Sequence, residues 1–135
     1  MTLIVDSSAV VAALVDGGSD GMWAESLLAS GPLAAPHLMP VEASNILRRA
    51  ALTRDISDDA ASLAHADLLQ LRVELFAYEP FAERAWELRG SLTAYDAWYV
   101  ALAESLDAPL MTLDLRLART SGPRCVFETP PGRIR

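Results

Sequence analysis

Short apolar runs alternate with amphipathic stretches along the chain. Five short apolar runs predict strands, and they lie at residues 2–5, 33–36, 73–78, 108–112 and 125–127. The first of them, rich in β-branched residues, is expected to be covered on both faces. Between them, apolar residues recur at helical spacing, which predicts helices at residues 9–15, 22–28, 40–51, 58–70, 80–90, 94–106 and 115–119. The expected helix caps are Ser7 or Ser8, Ser57 and Thr93.

Strands that alternate with helices predict an α/β fold, with right-handed crossovers, a parallel sheet and helices on both faces. The 135 residues fit one domain over 1–135. Hydrophobic residues make up 52% and charged residues 21%, which is typical of a chain that folds compactly. Residues 129–135 are expected to form a Pro- and Gly-containing tail.

The charge pattern limits the possible chemistry. Eighteen acidic residues outnumber eleven basic ones, for a net charge of −7, so any contact with nucleic acid must be local. All eleven basic residues are Arg, which excludes a P-loop lysine, a Schiff-base lysine and a receiver-domain lysine. Cys125 is the only cysteine, so we expect no disulfide, and we expect Cys125 to be a buried strand residue.

The N-terminal apolar stretch lacks a preceding basic residue and is too short to span a bilayer. We therefore expect a cytoplasmic protein with no membrane partner.

Four acids follow strands or begin helices at one predicted edge of the sheet. Asp6 and Asp114 each follow a strand, whereas Glu42 and Asp96 lie in first helical turns. The carboxyl ends of parallel strands meet at one edge, where α/β proteins bind ligands. Each acid alone is explained as well by helix capping, the helix dipole or turn chemistry. Together they predict a carboxylate cluster.

A carboxylate cluster without lysine needs a cation, and an all-oxygen set suits Mg²⁺ or Mn²⁺ better than zinc. A carboxylate-bound divalent ion can activate water against a phosphodiester, which indicates nuclease chemistry. Hydroxyls that can support the site and arginines that can hold phosphate are Ser7, Ser8, Thr112, Arg48, Arg49 and Arg116.

Four segments in order resemble the PIN-domain ribonucleases, specifically the VapC toxins of bacterial toxin–antitoxin pairs. They are Ile4-Val5-Asp6-Ser7-Ser8-Ala9, residues 42–49 (EASNILRR), residues 93–99 (TAYDAWY) and residues 110–117 (LMTLDLRL). The resemblance implies a three-layer α/β/α domain with about five parallel strands, and an endoribonuclease that depends on Mg²⁺ or Mn²⁺. One departure is Asp107, where the family commonly has glycine.

The resemblance also implies roles and partners. Asp6 and Asp96 match the principal metal ligands, Glu42 and Asp114 the remaining acids, and Ser7, Asn45 and Thr112 the polar positions that support the site. The implied partners are RNA, a cognate VapB-type antitoxin, a second copy of the chain, and DNA only through the antitoxin.

Apolar helix positions have two open interpretations. An antitoxin surface or the core can contain Trp23, Leu27, Leu28, Leu47 and Leu52. For the three tryptophans, Trp23, Trp86 and Trp98, packing in the core or in an interface is favoured over base stacking. Trp98 and Tyr99 are candidates to line the cleft because they follow Asp96.

Two other functions remain as alternatives. A catalytically inactive PIN-like module would bind RNA or protein without cutting. A small phosphatase or receiver domain is disfavoured, because lysine is absent and no Asp-x-Asp pair follows the first strand, where Asp6-Ser7-Ser8 stands.

Overall fold

A five-stranded parallel sheet forms the centre of the fold. The computed structural model describes residues 1–132, and the strands among them are β1 Leu3–Val5, β2 Leu33–Pro36, β3 Val73–Phe76, β4 Leu110–Met111 and β5 Phe127–Glu128. They lie in the order β3-β2-β1-β4-β5, and every neighbouring pair is parallel. The predicted α/β class and the five parallel strands are confirmed.

Seven helices in this part of the chain connect and flank the strands. They are α1 Ser7–Val15, α2 Ser19–Leu28, α3 Met39–Leu52, α4 Asp58–Gln70, α5 Ala82–Glu87, α6 Ala94–Leu106 and α7 Leu115–Arg119. Helix α1 contacts α2, α3 and α4, whereas α5 packs on α6, and α6 packs on β1, β2 and β4. Two groups of helices therefore flank the sheet.

The centre of the sheet is also the centre of the core. Ile4 and Val5 of β1, Val100 of α6 and Leu110 of β4 are fully buried, because β1 has a strand on each side and helices pack against the sheet. Burying a side chain of this size contributes roughly 1.5–3 kcal/mol. The ends of β1 and β4 are thus a rigid support for the residues that follow them.

The first helix does not have the predicted cap. Its N-cap is Asp6, whose carboxylate accepts a hydrogen bond from the Ala9 backbone N–H, so the prediction that Ser7 or Ser8 caps α1 is wrong. Asp6 keeps extended backbone geometry (φ −86°, ψ 167°), which is usual for an N-cap, while both serines already belong to the helix.

Helices α4 and α6 have the predicted caps. The Ser57 hydroxyl accepts from the Ala60 N–H, and the Thr93 hydroxyl accepts from the Asp96 N–H. Helix α2 begins three residues earlier than predicted, because Gly21 fits against the end of α1. A Cβ at Gly21 would lie 1.7 Å from the backbone oxygen of Asp16, so only glycine lets the helix start there.

Several elements in the second half are shorter or shifted. Strand β3 ends at Phe76, and β4 contains only two residues. The predicted helix at 80–90 is a 3₁₀ turn, Glu79–Phe81, followed by α5, which ends at Glu87.

The last strand starts two residues later than predicted. The Leu110 N–H donates to Val126 O (2.9 Å) and the Thr112 N–H to Glu128 O (3.0 Å), and this pairing with β4 sets the register. Cys125 precedes β5 and is half-buried, so its assignment as a buried strand residue is wrong. Its partial burial still raises the pKa of the Cys125 thiol to about 11.

Asp107 ends α6 in the left-handed conformation, with φ 50° and ψ 47°. Aspartate is one of the few non-glycine residues that tolerate this conformation. The turn therefore has a shape that favours glycine, although the residue is not glycine.

Within residues 1–132, none of the helices has both the length and the apolar character needed to cross a bilayer. The predicted tail begins with two buried residues, Thr129 and Pro130, and its residues 133–135 lie outside the described part. The extent of the single domain stays a prediction.

Candidate active site

The four acids occupy the predicted places. Asp6 follows β1 and caps α1, Glu42 lies in the first turn of α3, Asp96 lies in the first turn of α6, and Asp114 caps α7. Asp6 is 7% exposed, Glu42 and Asp96 are half-buried, and Asp114 is exposed. The site therefore runs from a buried carboxylate to a solvent-facing one.

Asp96 is the common neighbour of the other three acids. Its charge acts on Asp6 and on Glu42, and the charge of Asp114 acts on Asp96. Burial is the main cause of the raised pKa values of these carboxyls, and the like charges add to it. The pKa of Asp6 is raised to about 6, and the pKa values of Glu42 and Asp96 are raised above their usual range. The fold thus holds carboxylates together against their repulsion.

The pairing of β1 with β4 places Asp6 among hydrogen-bond donors. Val5 lies opposite Met111, so the next residues, Asp6 and Thr112, are neighbours, and the Thr112 hydroxyl bonds to the carboxylate. Asp6 Oδ1 also accepts from Ser8 Oγ (2.7 Å) and from a backbone N–H (2.9 Å). These bonds lower the pKa of Asp6, but burial outweighs them.

Two hydroxyls connect β1 to the segment after β4. Ser8 Oγ accepts from the Leu113 N–H (3.3 Å), and Thr112 Oγ1 accepts from the Asp114 N–H (2.9 Å). Since a hydroxyl can donate and accept at once, each links Asp6 to the loop that carries Asp114. These hydrogen bonds fix the relative position of the two strand ends.

Glu42 has a buried partner on α6. The Tyr99 hydroxyl donates to Glu42 Oε1 over 2.7 Å, and Ser7 forms a further hydrogen bond that lowers the pKa of Glu42. Burial, then the hydrogen bond and charge of Glu42, raises the pKa of Tyr99 far above its usual range. The position of Tyr99 at the cleft was predicted from the sequence, but this hydrogen bond was not. The available signal was the three-residue spacing from Asp96, which puts both residues on one helical face.

Asp114 both caps a helix and borders the site. Its Oδ1 accepts from the Arg116 N–H (3.0 Å) and the Leu117 N–H (3.2 Å). A cavity of about 310 Å³ is lined by Asp96, Asp114, Arg116 and neighbouring residues. Asp6 and Asp114 therefore each cap a helix and also belong to the set of four acids.

The donor set fits a hard divalent cation. Both ion pairs in the described part belong to Arg84, so no arginine forms a salt bridge with the four acids there. Among residues 1–132, no three His, Cys, Asp or Glu side chains lie close enough together to hold one metal ion by themselves. Magnesium is commonly bound by only one or two carboxylates and keeps several waters, and this open, all-oxygen arrangement suits that mode.

The other candidate polar residues are more dispersed. Arg116 lines the cavity beside Asp96, whereas Arg48 lines a different depression, with residues of α3 and α4. Arg49 and Asn45 are exposed on α3, with Asn45 one helical turn after Glu42. Their functional roles stay predictions.

The apolar candidates separate into core and surface. Leu47 is buried, which contradicts a surface role for it, and Leu52 is 67% exposed, which contradicts a core role. Trp23, Leu27 and Leu28 are partly buried against the core. Trp98 packs against the Tyr78 ring (5.3 Å between centroids). Trp86 is 65% exposed beneath the Arg89 guanidinium, so it does not belong to the core, and its packing in an interface stays a prediction.

Known proteins are similar to this chain over nearly its whole length. The PIN domain family matches residues 3–123. Ribonuclease VapC1 of Mycobacterium tuberculosis is 42% identical over 126 residues, which covers 93% of this chain and 95% of that protein. Ribonuclease VapC9 of the same species is 38% identical over 129 residues, which covers 96% and 98%.

Solved structures share the fold. PAE2754 from Pyrobaculum aerophilum superposes with a TM-score of 0.69 at 29% identity, covering 94% of this chain and 83% of that one. VapBC2 from Rickettsia felis, whose structure was solved bound to a DNA fragment from its promoter, gives a TM-score of 0.65 at 16% identity, covering 96% of this chain and 98% of that one. At that identity the likeness concerns the fold alone. The chain therefore belongs to the PIN-domain family and, within it, to the VapC ribonucleases.

Proposed function

We propose that this protein is the toxin of a VapBC-type toxin–antitoxin pair, an endoribonuclease that hydrolyses RNA phosphodiester bonds with Mg²⁺ or Mn²⁺. One observation carries the proposal: Asp6, Glu42 and Asp96 interact at the carboxyl edge of the sheet with raised pKa values. Carboxylates held together in this way are suited to bind a cation. The relatives named as ribonucleases support the same conclusion.

Asp6 and Asp96 would hold the cation, with Glu42 and Asp114 completing the negative site. A bound Mg²⁺ or Mn²⁺ would supply Lewis acidity, which lowers the pKa of an attacking water and neutralises charge on the phosphate. The chain provides rigid support for these acids. Ser8 and Thr112 orient Asp6 through hydrogen bonds, so its carboxylate needs little rearrangement on metal binding.

Arg116 is the best-placed phosphate contact. It lines the cavity with Asp96 and Asp114, and a guanidinium can bind phosphate oxygens in a bidentate manner. A local cation is needed, because the net charge of −7 repels RNA as a whole. Arg48 and Arg49 are further candidates for more distant phosphates.

The proposed partners are a VapB-type antitoxin and a second copy of this chain. VapBC2 of Rickettsia felis was solved with promoter DNA, and by analogy this chain would contact DNA only through its antitoxin. The proposed site of action is the cytoplasm, where the RNA substrate is found.

Cleavage of cellular RNA tests the function directly. Purified, antitoxin-free protein is incubated with total tRNA and rRNA in Mg²⁺ or Mn²⁺, with EDTA as one control and Asp6→Asn and Asp96→Asn as others. Asp59→Asn makes the same chemical change in the first turn of α4, away from the site. We expect cleavage at a few sites by the wild type and Asp59→Asn alone. RNA that is bound but stays intact would contradict the proposal and favour a non-cutting binding module.

A further inference from the structure

Tyr99 is a buried residue whose hydroxyl lies among the acidic residues of the site. It is 2% exposed, and its hydroxyl donates to Glu42 Oε1 over 2.7 Å. A buried tyrosine hydroxyl needs a hydrogen-bond partner, and a bond of this length to a carboxylate is charge-assisted and strong. The contact therefore restrains the Glu42 side chain.

A second residue of α6, Asp96, repels the Glu42 carboxylate. Asp96 lies one turn before Tyr99 on α6 and acts on Glu42 with a like charge. Glu42 is half-buried on α3, so a free side chain could relieve the repulsion by rotating toward solvent. The hydrogen bond from Tyr99 opposes that rotation, because it fixes one carboxylate oxygen.

We propose that Tyr99 is a positioning residue whose hydroxyl holds Glu42 in the orientation that faces Asp96, so that the two carboxylates are preorganised for a divalent cation. This inference rests on the proposed function and assigns to the Tyr99 hydroxyl a role that it exerts through Glu42. Loss of such an outer partner typically costs about 10- to 100-fold in metal affinity or activity.

Tyr99→Phe tests the role by removing one oxygen and keeping the ring. The matched control is Tyr95→Phe, which removes the same oxygen from a 60% exposed tyrosine on the same helix. Mn²⁺ affinity is measured by titration calorimetry without RNA, and kcat and KM are measured on a short RNA that contains the cleavage site. We expect Tyr99→Phe to weaken Mn²⁺ binding and lower kcat by about 10-fold or more, with KM and the Tyr95→Phe variant unchanged.

A double-mutant comparison shows whether Tyr99 acts through Glu42. In a Glu42→Ala background, Tyr99→Phe should not lower Mn²⁺ affinity further, because the group that it positions is gone. Circular dichroism and melting curves confirm that each variant is folded at the assay temperature.

Three results separate the possibilities. Unchanged affinity and kcat in Tyr99→Phe would overturn the positioning role. An equal loss with and without Glu42 would overturn it as well, since the hydroxyl would then act by another route. Wild-type protein that binds Mn²⁺ and cuts no RNA would contradict the proposed function instead, while the affinity comparison would still test Tyr99.

Discussion

Ser8 donates a hydrogen bond of 2.7 Å to the carboxylate of Asp6, a residue that is almost completely buried. Burial raises the pKa of Asp6 to about 6, although hydrogen bonds from Thr112, the Ala9 N–H and Ser8 lower it. When folding raises the pKa of a carboxyl, its contribution to the free energy of unfolding is fully present below the pKa of the unfolded state, here 3.8. That contribution is lost as the pH rises through about 6.

Asp6→Asn should therefore stabilise the metal-free protein at neutral pH. The variant keeps a side chain that can cap α1 and removes the buried charge, so the gain at pH 7.5 should reach up to about 3 kcal/mol and vanish near pH 4. Urea unfolding in EDTA at both pH values measures it, with Asp59→Asn as the exposed control. A less stable Asp6→Asn at pH 7.5 would contradict this expectation.

Metal affinity should depend on pH through the same carboxyl. Binding requires the deprotonated form, so Mn²⁺ affinity should be nearly constant above pH 7 and fall by about tenfold per pH unit well below pH 6. Calorimetric titrations at pH 5, 6 and 7.5 test this. An affinity that stays constant over that range would show that protonation of Asp6 does not compete with the metal.

The two roles of Asp114 can be separated by two substitutions. Asp114→Ala removes the cap on α7, which accepts from two backbone N–H groups, and should cost about 1 kcal/mol of unfolding free energy. Asp114→Asn should keep that stability, because asparagine caps helices equally well, while it lowers RNA cleavage through loss of charge. Thermal melts and cleavage assays on both variants distinguish cap from charge. If Asp114→Asn cleaves RNA as fast as the wild type, the charge is not used in catalysis.

Arg84 of α5 connects α6 to the segment before β5, at the end of α6 that is far from Asp96. Its guanidinium contacts both Glu104 oxygens (2.7 and 3.1 Å) and the Gly122 carbonyl (3.0 Å). Arg84→Ala should lower the free energy of unfolding by about 1–3 kcal/mol, because the partly buried Glu104 carboxylate loses its charged partner and keeps only the hydrogen bond from the Arg124 N–H (2.7 Å). Arg89→Ala, at an exposed arginine over Trp86, is the control and should cost less. Mn²⁺ affinity should be unchanged in both, and a clear loss in Arg84→Ala would indicate that α6 transmits the change to Asp96.

Much of the fold and the approximate place of the acids follow from local patterns. The apolar run of β1 has no polar interruption, and Asp6 directly follows it; such a run is stable only when covered on both faces. Parallel strands end at a common edge, which is why Asp6 and Asp114 could be assigned to one edge before their distances were known.

Other features depend on packing and could not be predicted locally. The late start of β5 follows from hydrogen bonds with β4. Leu47 and Leu52 have equal hydropathy, yet one is buried and the other exposed, because only one of them faces the core.

Local patterns along the chain predict the fold class and the sheet edge at which the acids lie, since both depend on the order of strands, helices and charges. The family was identified from the resemblance of four short segments that contain those acids. The hydrogen bond between Tyr99 and Glu42, the position of Asp96 beside the other acids and the raised pKa of Asp6 come from tertiary packing. The physical reason is that hydrogen bonds and desolvation depend on distances of a few ångströms between residues far apart in sequence, and those distances exist only once the helices have packed on the sheet.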